Sequence, residues 1–144
     1  MSNPMTSQQR NLVRRSFTYI APEHAAVARL FYDKLFEIAP DLRHMFKHDM
    51  DMQRAKVMQM LASLVSSLDD TAHFDHTSHE LGKRHVGYGV SNPQYKLVGQ
   101  ALIWALQEAC PTIMTPAVTE AWAAAYTKIA EAAIEGAANT HKEP

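Results

Sequence analysis

Apolar residues recur three and four positions apart over most of this chain, the spacing that gathers them on one side of an α-helix. Val27, Leu30, Phe31, Leu35 and Ile38 form one such stripe, and Val57, Met60, Leu61, Leu64, Val65 and Leu68 a second. Leu97, Val98, Ala101, Leu102, Ala105 and Ala109 make a third, and Val118, Trp122, Ala125, Tyr126, Ile129 and Ala133 a fourth. Short alternating runs separated by turn glycines, the mark of half-buried strands, do not occur. Prolines punctuate the stripes. Ala21-Pro22 and Ala39-Pro40 open segments, while Asn92-Pro93 and Thr115-Pro116 pair a good N-cap with proline at the first helical position, where its missing N–H is no loss. The pattern predicts helices near 6–20, 22–37, 50–68, 76–87, 93–109 and 116–137, a short helical turn after Pro40, and a polar tail from Asn139 to Pro144 that frays. The expected fold class is all-α with short connections. Two arrangements suit it, an elongated bundle and a box of helices crossing at about 50°, and spacing does not choose between them.

Composition narrows the field. With 144 residues the chain has the size of one domain, able to bury roughly 70% of its unfolded surface and to enclose a cavity large enough for a cofactor. It shows no repeat, low-complexity tract or linker, so a single domain over 1–144 with an ordered core about 6–138 is expected. Apolar residues are 47% and charged residues 20%, and a net charge of −1 gives no electrostatic reason to expect nucleic acid or an anionic membrane as partner. The first ten residues lack the apolar core of a signal peptide, and no run approaches the roughly 20 apolar residues of a membrane span. The one cysteine, Cys110, allows no internal disulfide and reads as a small apolar residue beside Pro111. The expectation is a soluble, cytoplasmic protein whose mature form is the whole chain.

Candidate chemistry gathers around one histidine. Three of the five glycines, Gly82, Gly87 and Gly89, lie beside His85. A neutral imidazole is a standard axial ligand of haem iron, and one protein ligand leaves the opposite site free for a small gas. On pattern alone His85 is equally a surface histidine, so its partners decide the reading. Gln53 and Val57 are four apart, which sets a donor and an apolar wall on one helix face. Dioxygen on ferrous iron carries partial negative charge, and a phenol and an amide above it, such as Tyr32 and Gln53, are donors that slow its release. Taken singly these residues also have plain readings: Tyr32 and Phe46 as core aromatics, Gln53 as a surface glutamine, Tyr95 as packing next to Pro93. Lys56, Lys83 and Arg84 are either contacts for haem propionates or solvated charges. His73, His76 and His79 recur every third residue as a histidine tract does, but no cysteine or carboxylate pattern completes a closed metal site. His44 and His48 flank Phe46 and are alternatives for a second axial ligand.

Several motifs then fall in a familiar order. Pro40 precedes Phe46, Phe31-Tyr32 lies ahead, Gln53-Arg54-Ala55-Lys56-Val57-Met58 follows, and Leu81-Gly82-Lys83-Arg84-His85 and Tyr95-Lys96-Leu97-Val98-Gly99 come after. Over about residues 8–135 the chain resembles the globins, and more narrowly the single-domain bacterial globins related to flavohaemoglobins and to Hell's Gate globin. The resemblance implies a globin fold of six to eight helices around haem b. It implies that His85 ligates the iron, that Phe46 stacks on the porphyrin and that Pro40 sets the turn before it. Tyr32 and Gln53 match the distal donors, Val57 an apolar position controlling access, and Tyr95 a proximal-side tyrosine hydrogen-bonded around the histidine. The implied function is reversible binding of dioxygen, with nitric oxide and carbon monoxide as further ligands, in a monomer or homodimer. The alternatives are nitric oxide dioxygenation supported by a separate reductase, since flavin and nicotinamide domains do not fit within the chain, and a gas sensor or electron carrier with a side chain as sixth ligand. One departure stands out. The glutamate that joins the proximal group in flavohaemoglobins falls at Ala137, with Glu131 and Glu135 near but out of register, which weakens the expected electron donation by the histidine.

Overall fold

The computed structural model describes residues 5–46, 49–70, 72, 74, 76, 77, 80 and 92–142. Five long helices carry the architecture: α1 (Ser7–Ile20), α2 (His24–Ile38), α3 (Met50–Ser66), α4 (Asn92–Ala109) and α5 (Pro116–Lys142). Two short 3-10 turns, Ala21–Glu23 and Pro40–Met45, join α1 to α2 and α2 to α3. Among the described residues there is no strand. None of the described helices is long and apolar enough to cross a membrane.

Local chemistry explains the boundaries. Thr6 closes a reciprocal capping box on α1, its hydroxyl accepting from the Gln9 amide and the Gln9 side chain accepting from the Thr6 amide, each at 3.0 Å. Asp49 caps α3 by accepting from the Asp51 amide at 2.9 Å. Thr115 does the same ahead of Pro116, its hydroxyl accepting from the Val118 amide at 3.3 Å. The last helix departs from expectation: it continues to Lys142, through the tail expected to fray, because its final turns are rich in alanine and no proline intervenes before Pro144. The helix expected over 76–87 lies mostly outside the described residues, although Ala72, Phe74, His76, Thr77 and Glu80 are helical.

The four apolar stripes meet in one core. α2 makes its most extensive contacts with α4, and α1 packs on α5. Val13, Ile20, Val27, Leu106 and Trp122 are the largest side chains fully withdrawn from water. Trp122 ties the two ends of the chain together. Its indole N–H donates to the buried hydroxyl of Ser16 at 2.8 Å, and that hydroxyl donates to the Val13 carbonyl at 2.9 Å. This core leaves the C-terminal end of α2 and the N-terminal end of α3 facing one another, and there the candidate residues collect.

Candidate functional site

Tyr32 is held by α2. Phe31, Tyr32 and Leu35 are buried on its inner face, and Tyr32 is only 3% exposed. Pro40 starts the following turn at a position that needs no amide, and Leu42, 2% exposed, pins that turn to the core. The chain is thereby returned toward α2, and Phe46 arrives against it. Its ring centroid lies 5.4 Å from that of Tyr32 at an interplanar angle of 71°, and 5.4 Å from that of Phe36 at 59°. Phe31 meets Tyr32 edge-on at 4.9 Å. Such pairs are each worth about 0.5–1.5 kcal/mol beyond the area they bury, so the cluster is a stiff aromatic wall.

Helix α3 brings the polar partner. Its cap at Asp49 fixes the first turn, and the Gln53 amide donates back to the Asp49 carbonyl at 3.1 Å. From that turn the half-buried Gln53 side chain hydrogen-bonds the Tyr32 hydroxyl. Burial pushes the Tyr32 phenol above its ordinary range, while the Gln53 bond and the positive charge of Arg54 pull it back. Tyr32 is therefore a neutral phenol at neutral pH, held beside the Gln53 side chain. Val57, one turn beyond Gln53, is half-buried against the core.

Tyr95 occupies a different neighbourhood. It is 7% exposed in the first turns of α4, where the Tyr126 hydroxyl of α5 donates to its carbonyl. A cleft of about 610 Å³ opens between these two helices, lined by Tyr95, Gly99, Trp104, Tyr126, Ala130 and Ile134. Thus Tyr32, Phe46 and Gln53 come together between α2 and α3, and Tyr95 stands with α5. His85, Lys83 and Arg84 lie outside the described residues, as do Gly82, Gly87, Gly89, His48, His73 and His79, and the side chains of Glu135 and Ala137. Lys56, His44 and His76 are exposed.

The globin family profile matches residues 29–133, most of the chain. The chain is a globin. Its helical fold matches that of an engineered carbene transferase derived from a candidate nitric oxide dioxygenase of Rhodothermus marinus, with a TM-score of 0.86, 25% identity and 96% of each chain covered. It is similar to a flavohemoprotein of Vibrio cholerae, 24% identical over 134 residues that make up 91% of this chain and 34% of that protein. The globin thus spans about a third of that flavohemoprotein's length. It is also similar to a neuroglobin of Danio rerio, 24% identical over 146 residues and covering 92% of each.

Globins are haem proteins, and the described residues suit such a group. A flat apolar macrocycle would need an aromatic wall, for which Phe46 and Phe36 are suited, and a few confined polar groups, for which Tyr32 and Gln53 are suited. Its carboxylates need cations. Arg54 donates to Asp51 at 2.9 Å, yet its Nε is buried with no acceptor among the described residues. A buried donor in that state fits an anionic group entering the site. Sequence reasoning passed over Arg54, since which face of a helix turn the fold buries is not written in its neighbours. It also passed over Phe36, and read Tyr126 only as a helix-face residue.

Proposed function

We propose that this globin binds dioxygen reversibly at the ferrous iron of haem b, with His85 as the ligating histidine, Phe46 against the porphyrin and Val57 bounding the gas site. The observation that carries the reading is the buried Tyr32 phenol, which meets the Gln53 side chain and the edge of the Phe46 ring. When bound, the haem supplies the iron at which a diatomic gas is held. The chain's own part is to exclude water with the Phe46 and Phe36 wall, to aim a phenol proton at the negative end of the gas, and to fix that phenol with Gln53. Arg54, with Lys56, Lys83 and Arg84, supplies positive charge for the propionates, and Tyr95 stands on the proximal side.

Absorption spectra of the ferric, ferrous, oxygenated and carbonyl forms test the proposal together. A five-coordinate ferrous band and a stable oxygenated form are expected, and a six-coordinate ferrous band would instead select His44 or His48 as a second ligand and the sensor or electron-carrier reading. Replacing Tyr32 with Phe should speed dioxygen release about tenfold or more, since a hydrogen bond to a charged acceptor is worth about 1.5–3 kcal/mol. An unchanged rate rejects Tyr32 as the donor.

The Rhodothermus neighbour and the flavohemoprotein relative favour a second reading at the same pocket. Nitric oxide and dioxygen combine to nitrate, with one electron drawn from a separate reductase in each cycle. Sustained nitrate formation with a cellular reductase supports it. Nitrate limited to one equivalent per haem leaves reversible gas binding.

A further inference from the structure

We infer that Tyr126 is a positioning residue for the proximal side of the pocket, locking the start of α4, and with it Tyr95, through a wedge for which only glycine at position 99 leaves room. The inference rests on the haem reading above and deepens it.

In a regular α-helix the amide of Gly99 donates to the carbonyl of Tyr95, four residues earlier. Both ends of that rung meet one hydroxyl from another helix. Tyr126 donates its O–H to the Tyr95 carbonyl and accepts from the Gly99 amide. The ring that carries this hydroxyl lies flat on Gly99. A Cβ there would stand 2.5 Å from Cε2 and 2.7 Å from Cδ2 of Tyr126, closer than real Cβ atoms come, and 3.2 Å from Cζ. A tyrosine serving only as packing would need neither the backbone bonds nor a residue without a side chain beneath it. A side chain that enters the hydrogen-bond ladder sets the local bend of a helix, so the position of Tyr126 determines where the first turns of α4 lie. Tyr95 is the residue whose carbonyl is gripped, and its side chain leaves the same Cα. Burial first, and the neighbouring Tyr95 second, raise the Tyr126 phenol well above its ordinary range, so it stays a protonated donor at any working pH.

The test is the iron–imidazole stretching band of the ferrous, ligand-free holoprotein, read by resonance Raman spectroscopy. An acceptor on the far nitrogen of a ligating imidazole strengthens its bond to the metal. Tyr126→Phe, which keeps the ring, should retain haem and move the band to lower frequency, in the same direction as Tyr95→Phe. The double variant should shift no further than Tyr95→Phe alone, because Tyr126 acts through Tyr95. Gly99→Ala should give the same shift with the hydroxyl still present, since the ring is pushed off. Should Gly99→Ala not fold, Gly99→Ala with Tyr126→Ala has room for the methyl group and should carry the shifted band. A wild-type band in haem-loaded Tyr126→Phe, or additive shifts in the double variant, overturns the inference. If the wild-type protein takes up no haem, the haem reading falls by itself. The wedge is then read from the Gly99 amide resonance, which moves in Tyr126→Phe if it is real and stays in place if it is not.

Discussion

Two buried tyrosines on opposite sides of the core show how one side chain is put to two uses. On α2, Tyr32 is surrounded by the rings of Phe31, Phe36 and Phe46, and its hydroxyl meets the side chain of Gln53. On the seam of α4 and α5, the Tyr126 hydroxyl is engaged at both ends by backbone. The Ser16 and Trp122 pair between α1 and α5 is likewise satisfied internally. A hydroxyl whose bonds are completed inside the protein contributes to stability, and one that keeps a proton free contributes to ligand binding. Removing the first kind should lower stability. Removing the second should change affinity while leaving the fold almost untouched.

The largest effect is expected on the seam side. Trp122→Ala should lower the unfolding free energy by about 3–5 kcal/mol, measured by urea denaturation, because it leaves a large cavity and deletes the bond to Ser16. Ser16→Ala strands the buried indole N–H and should cost about 1–3 kcal/mol in the same assay. On the α2 side, Tyr32→Phe should leave the urea midpoint near the wild-type value while speeding gas release about tenfold. An equal loss of stability would erase the distinction between the two regions. Gln53→Leu removes only the bond that fixes Tyr32, and roughly a threefold faster release is expected, at the low end of the 0.5–1.5 kcal/mol typical of a neutral hydrogen bond.

The smallest effect is a matter of pH. The phenols of Tyr32, Tyr95 and Tyr126 all lie above the ordinary value of 10.0, chiefly through burial. Below that value both folded and unfolded chains keep these protons, and the stabilisation is fully present. Above it the unfolded chain releases protons that the folded chain retains, so stability falls as pH rises through the alkaline range. Tyr126→Phe should flatten that fall more than Tyr95→Phe, seen in urea midpoints measured from neutral pH into the alkaline range, since the Tyr126 phenol is the one raised most and the Tyr95 phenol is raised by burial alone. A slope identical to wild type would show that the Tyr126 phenol is not held as the seam requires.

Much of the helical layout was legible because its causes are local. The stripes at three and four residues, the caps at Thr115 and Pro116 and the prolines at 22, 40 and 93 act within a turn or two of themselves. The tail beyond Asn139 was misjudged because its polar residues suggested fraying, whereas the preceding alanines carry the helix on to Lys142. Tyr32, Phe46 and Gln53 were picked out by their order along the chain. Arg54 was not picked out, since which residues of α3 turn inward depends on the side the core takes. Gly99 and Tyr126 were missed for the same reason: a glycine in a helix looks like a mild defect until the ring that needs its space is seen.

By itself, then, the sequence determined the class of fold, the places where helices begin, and a set of residues chemically suited to a gas-binding haem site, since propensity, periodicity and capping are properties of neighbours along the chain. The tertiary structure alone decided that the Gln53 side chain meets the Tyr32 hydroxyl, that the charge of Arg54 acts on that phenol, and that Tyr126 reaches across to the Tyr95 carbonyl with its ring over Gly99. Those facts join residues far apart in sequence, and only the packing of one helix against another brings them within hydrogen-bond reach.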